Sequence, residues 1–191
     1  MSDQTLPKHL VALEEKCQEV GFKQPSDRAI GYLLRTLIAS KPGGQFLELG
    51  TGIGLSFTWL ADGMDSKSSL VSLDNNEELT TIVKSFYPNN DHVTIQCTDG
   101  ESWIDEHKDQ QFDLIFADTW PGKYNHLDEV LSMVKVGGFY IIDDLDEQPN
   151  WPEGHAQKAA NLITHLKSLS NFTFTHMTGW STGVMIGVRT S

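Results

Sequence analysis

From Gln45 to Asp144 the chain alternates short apolar runs with longer amphipathic ones. "QFLEL" is followed by "LSFTWLADGM", "SLVSLD" by "NEELTTIVKSFY", and "HVTIQC" by "ESWIDEHK". "FDLIFAD" is followed by "HLDEVLSMVKVGG", and "FYIIDD" ends the series. Strand-length runs separated by helix-length ones predict βαβ units, because a parallel neighbour is reached only through a long crossover. A parallel sheet is covered on both faces, so its strands read as continuous apolar stretches. The tail breaks the pattern. After the helical stretch "HAQKAANLITHLKSLS" come "FTFTHM" and "GVMIGVR", joined by a few residues that include Gly179 and Gly183. That link is too short for a crossover and predicts an antiparallel hairpin. The expected fold class is α/β: a doubly wound, mostly parallel, seven-stranded sheet with an antiparallel C-terminal hairpin.

Ahead of the alternation, Leu6, Leu10, Leu13, Cys17 and Val20 share one helical face and predict a helix over 6–20. "PSDRAIGYLLRTLIAS" predicts a second, with Ser26 as N-cap and Asp27 in the first turn, stopped at "KPGG". With 191 residues, the chain is read as one domain over 1–191. Its formal charge of −12 and scattered basic residues argue against a nucleic-acid partner and suit a small cationic ligand. Cys17 and Cys97, inside apolar-periodic segments, read as buried thiols of a reducing compartment. The N-terminal stretch is too charged for a signal peptide, and no apolar run is long enough for a bilayer. The expectation is a cytoplasmic protein with no membrane partner.

"FLELGTGIGLS" (46–56) carries glycines at 50, 52 and 54 after an apolar run. A dinucleotide fingerprint would need a glycine where Leu55 stands, and a phosphate-binding Walker loop would need a Lys-Ser/Thr pair. Glu48, two residues ahead of Gly50, would repel a pyrophosphate and attract an ammonium or sulfonium. The loop therefore favours a cationic ligand without phosphate.

"LELGTGIG" resembles the first motif of the class I S-adenosylmethionine-dependent methyltransferases. "FADTWPGKY" and "VKVGGFYIIDD" are similar to the fourth- and fifth-strand motifs of their O-methyltransferases of the catechol and caffeoyl-CoA type. The resemblance implies a Rossmann-like methyltransferase fold and a small-molecule methyltransferase that uses S-adenosylmethionine, transferring to an oxygen. It implies a cofactor site of Gly50, Thr51, Gly52 and Gly54, with Glu48 and Ser56 near the methionine end. Asp74 would accept the ribose hydroxyls, or cap the following helix. Asp99 and Gly100 would read the adenine, or form a plain turn. Asp118 and Trp120 complete the set, Trp120 with its face over the adenine or the sulfonium.

The resemblance also implies a divalent cation such as Mg²⁺, held by Asp118, Asp143 and Asp144. Sliding the fifth strand by one residue would match Asp144 and Leu145 instead and remove a ligand. The family's catechol enzymes place a lysine base three residues after the aspartate. Here that residue is Pro121, which takes no proton. Lys123, paired with Asp118 as the catalytic set, and His126 stand as displaced candidates, against solvated loop or helix-start roles. An aromatic or hydroxylated acceptor would lie near Phe22, Trp151 and Pro152, between the N-terminal helices (about 5–40) and the loop 145–154, with helix packing the simpler account of Phe22. Those helices are implied as an acceptor-site cap or a homodimer contact. Two rivals are a non-catalytic S-adenosylmethionine-binding protein, favoured by Pro121, and an NAD-dependent oxidoreductase, disfavoured by Leu55 and by the lack of a Tyr-x-x-x-Lys set.

Overall fold

The computed structural model describes residues 5–149 and 151–191. The first four residues of the N-terminal stretch and Asn150 of the 145–154 loop lie outside the described residues. Two compact units divide at Asp99 and Gly100.

The first unit holds α1 (Leu10–Val20), α2 (Arg28–Ala39), β1 (Gln45–Leu49), α3 (Leu55–Gly63), β2 (Ser69–Asp74), α4 (Glu77–Phe86) and β3 (Val93–Cys97). In the second are α5 (Gly100–His107), β4 (Phe112–Ala117), α6 (Leu127–Ser132), β5 (Val134–Ile142), α7 (His155–Ser168), β6 (Phe172–Met177) and β7 (Val184–Arg189). The strands order as β3-β2-β1-β4-β5-β7-β6. β1–β2, β2–β3 and β4–β5 pair parallel, whereas β7 runs antiparallel to both β5 and β6. This is the expected doubly wound sheet with its C-terminal hairpin.

Element boundaries follow local chemistry. The second helix is capped by Asp27, not Ser26: extended backbone at Asp27 brings its carboxylate to the Ile30 N–H at 3.0 Å. The first helix begins at Leu10 and not at Leu6, with the Pro7 carbonyl accepting the Leu10 N–H. Leu10, Leu13 and Cys17 of α1 pack with Ile53, Leu55 and Trp59, so the segment after β1 rests on an apolar bed. The helix expected over 126–138 stops at Ser132, and Val134–Gly138 already belong to β5. Val134 pairs with Phe112 and Phe139 with Leu114, so the register shifts here and the extra residues lie in β5. Gly137, at φ +79°, sits inside this irregular pairing, so the two glycines serve a bulge and not a helix stop. Cys17 is buried as expected; Cys97 is exposed, because β3 is an edge strand with one neighbour. No helix among the described residues is long and apolar enough to cross a membrane.

Candidate functional site

In the first unit the turn after β1 is tied to the end of β2. The N–H groups of Gly50 and Thr51 both donate to the Leu73 carbonyl, at 2.8 and 3.0 Å. The Gly52 N–H donates to Asp74 Oδ2 at 2.8 Å, and Asp74 Oδ1 accepts the Asn76 N–H at 2.9 Å. Asn76 caps α4 by accepting the Leu79 N–H, so the capping role open to Asp74 belongs to its neighbour. Each Asp74 oxygen carries a second lone pair, and a diol remains within its chemistry. Gly50, Gly52 and Gly54 all take positive φ, +101°, +51° and +87°. A side chain at Gly54 would also place its Cβ 2.9 Å from the Val83 methyls. The residue that opens α3 must therefore be glycine both for conformation and for close approach. Phe22 lies against the loop: a Cβ on Gly52 would stand 3.2 Å from its ring.

Glu48 is fully buried in β1, opposite Ser72 in the register. The Ser72 hydroxyl donates to Glu48 Oε2, and Thr51 Oγ1 lies 2.5 Å from Ser72 Oγ. Ser56, also buried, favours the charged form as Ser72 does, but Oε1 has no hydrogen-bond partner. Burial outweighs these bonds and pushes the carboxyl up to about 8. At neutral pH the acid expected to present a charge is protonated. Asp99 is exposed. Gly100 is the first residue of α5, where a Cβ would stand 3.0 Å from Pro121 Cβ. Pro121 thus packs on a helix start. A cleft lined by His9, Thr58, Asp62, Tyr87 and His92 includes none of the glycine-loop residues.

In the second unit Asp118 follows β4, and Asp143 and Asp144 follow β5, where Ala117 pairs with Ile142. One ligand atom from each of the three lies within 4.8 Å of the others. Leu145 is buried, its N–H on the Thr182 and Gly183 carbonyls. The register that brings Asp143 and Asp144 to Asp118 is the one present. Asp143 is buried, with Oδ1 unpartnered. Asp144 takes φ +50° and donates its N–H to Thr182 Oγ1 at 3.1 Å. Burial pushes the carboxyls of Asp118 and Asp143 up, Asp118 further because the charge of Asp143 adds to it. Lys123 pulls both back down.

Lys123 is no solvated loop residue. It is 5 % exposed, and its Nζ donates to the Asp143 carbonyl oxygen at 2.5 Å. The turn that carries it folds tightly: the Trp120 carbonyl accepts the N–H groups of Lys123, Tyr124 and Asn125, and the Gly122 N–H reaches the Asn125 carbonyl. Buried Tyr140 pins the turn by donating its hydroxyl to the Gly122 carbonyl at 2.5 Å. His126 precedes α6, 3.8 Å from Glu101 and 3.6 Å from Asp105. Its neighbours are helix acids, and that arrangement supports the helix-start role.

Trp120 is 47 % exposed, with Lys158 Nζ 4.5 Å from its ring centroid. The face expected to greet a ligand cation already holds one of the chain's own. Two side chains that the sequence reading left unassigned, Tyr124 and His155, join Trp120 and Trp151. The His155 ring is 4.5 Å from Trp151, 5.5 Å from Tyr124 and 6.2 Å from Trp120. Its Nε2 lies 3.4 Å from the Tyr124 hydroxyl. Burial, with Lys123 and Lys158, holds the His155 pKa below its usual value, so a neutral imidazole stands in this aromatic group. The signal was the spacing from Trp151 to His155 across a helix start, which alone marks only a loop.

Comparison with known proteins bears on this arrangement. A Mycobacterium leprae protein provisionally named an O-methyltransferase is 27 % identical over 116 residues, 59 % of this chain and 51 % of its own. The chain spans about half the length of that curated relative. Among solved structures, an O-methyltransferase from Bacillus cereus, in complex with SAH, aligns at a TM-score of 0.85 and 18 % identity. That alignment covers 98 % of this chain and 93 % of the other. The O-methyltransferase TomG from Streptomyces achromogenes, in complex with SAM, aligns at 0.80 and 18 % identity, covering 98 % and 92 %. These structural likenesses establish the Rossmann-like methyltransferase fold. A family described as a methyltransferase domain matches residues 47–145, from β1 past the last of the three aspartates, and the chain belongs to that family.

Proposed function

We propose that this chain is an S-adenosylmethionine-dependent O-methyltransferase acting on a small aromatic hydroxyl compound. The observation that carries the reading is the glycine loop itself, three glycines at positive φ with the Gly52 N–H bonded to Asp74. The Asp74 carboxylate at the loop disfavours phosphate and suits a diol, and the neutral Glu48 carboxyl keeps an unpartnered Oε1 that can accept a hydrogen bond from an ammonium. Gly50, Thr51, Gly52, Gly54, Ser56, Asp99 and Gly100 complete the cofactor set in this reading. The names of the relatives support transfer to oxygen.

The chemistry is an in-line displacement. A lone pair of the acceptor oxygen forms the O–CH₃ bond as the C–S bond breaks, sulfur keeps that bonding pair, and the hydroxyl proton leaves the acceptor. Protein groups suited to manage that proton are the paired carboxyls of Asp118 and Asp143 and the neutral imidazole of His155. Trp120, Tyr124 and Trp151 offer flat walls to an aromatic acceptor. Asp118, Asp143 and Asp144 fit a hard divalent cation: the donors are all oxygens, and a buried Asp143 oxygen lacks a partner. Such an ion, when bound, would lower the pKa of an acceptor hydroxyl. Val11 and Val20, exposed on α1, support a homodimer through the N-terminal helices, a point for light scattering.

The test is calorimetric binding of S-adenosylhomocysteine, followed by mass spectrometry of catechol-type acceptors incubated with S-adenosylmethionine. Micromolar binding with a methyl gain on an acceptor is the expected result. Binding without turnover on any acceptor favours the cofactor-binding protein that Pro121 suggests, and no binding overturns the reading.

A further inference from the structure

We propose that Lys123 is a resident cation of the Asp118–Asp143–Asp144 cluster and keeps the affinity of that cluster for divalent metal ions low. Converging carboxyls, here buried Asp143 between half-buried Asp118 and Asp144, are stabilised by positive charge close by. Here the chain supplies its own. The Lys123 ammonium is buried, anchored on the Asp143 carbonyl oxygen and 5.6 Å from the centre of the Tyr124 ring. Its turn is held by the bond from Tyr140 to Gly122, and the side chain points inward, unlike that of a surface lysine. Its charge acts on Asp118 and Asp143 together, yet it leaves Asp143 Oδ1 without a partner. The lysine balances the acids without satisfying them. A divalent ion entering among the three oxygens meets a fixed like charge in a poorly solvated place, where repulsion is weakly screened. The residues three and five positions after Asp118 thus act together: Pro121 packs on Gly100, and the tight turn delivers Lys123 to the acids.

This inference rests on reading the three aspartates as the acceptor-side cluster of a methyltransferase. It is tested with Mn²⁺ alone, by electron paramagnetic resonance of the free ion and by calorimetry, on the whole chain and on Lys123→Met, Lys123→Gln and Lys123→Arg. Thermal melting screens each variant for folding. The expected result is wild-type binding no tighter than on the order of 1 mM, the weak end for oxygen-ligand sites. Lys123→Met, or Lys123→Gln if the first does not fold, binds at least tenfold tighter, and Lys123→Arg stays weak. Micromolar Mn²⁺ binding by the wild type overturns the proposal by itself, as does a folded neutral variant that binds no tighter. S-adenosylhomocysteine binding, measured on the same preparations, reports separately on the methyltransferase reading.

Discussion

Glu48 and Asp74 sit at the same loop and do different things there. Asp74 is part of the loop's own bonding and only partly buried. Asp74→Ala is expected to weaken S-adenosylhomocysteine binding by roughly 1.5–3 kcal/mol, the worth of charged hydrogen bonds; calorimetry on folded protein checks it, and unchanged affinity would remove the ribose role. Glu48 holds its proton in the fold up to about pH 8, against an ordinary 4.5. The folded state therefore binds more protons than the unfolded chain between those values, and stability falls as pH rises through that window, then levels above it. Glu48→Gln should flatten this slope, with denaturant midpoints at pH 5 and pH 8.5 differing less than in the wild type. Sequence alone located both acids, and Asp118, Asp143 and Asp144, because strand ends fix where the next side chain goes. Protonation was out of reach, since it depends on burial from every side. Lys123 was singled out as a displaced base, but its burial was equally hidden: five positions after an aspartate says nothing about a turn that doubles back.

The loop and α3 act as one element through Gly54. Gly54→Ala combines an unfavourable φ of +87° with a contact 2.9 Å from the Val83 methyls. The expected destabilisation is roughly 1–3 kcal/mol, read from urea unfolding, with cofactor affinity falling alongside. At this scale the strands were the most legible part: β1, β2, β6 and β7 begin and end within a residue of their apolar runs. α6 and β5 were not, because "VKVGG" reads equally as a helix stop and as a bulged strand. Pairing of Val134 with Phe112 decides between them, and that partner lies 22 positions away. The start of α1 and the cap of α2 shifted for smaller reasons, each a single competing hydrogen bond.

Across the whole molecule the charge of −12 distinguishes the two forms of the proposed cofactor. S-adenosylmethionine carries one more positive charge than S-adenosylhomocysteine, so raising NaCl should weaken the first more than the second as the field is screened. Parallel titrations at low and high salt check this, and equal losses would mean that the long-range field plays no part. The fold itself was legible at this scale because alternation and one short link constrain the topology tightly. What an aspartate at φ +50° implies reaches beyond stability. Asp144 holds a backbone shape that glycine adopts more easily, so Asp144→Gly should relieve about 1 kcal/mol of strain while deleting a carboxylate from the cluster. A lineage that had lost its chemistry would gain by that exchange at a single codon. Libraries of this chain sorted for folding alone are expected to drift to glycine there, whereas the proposed cluster predicts that those sorted for turnover keep the aspartate.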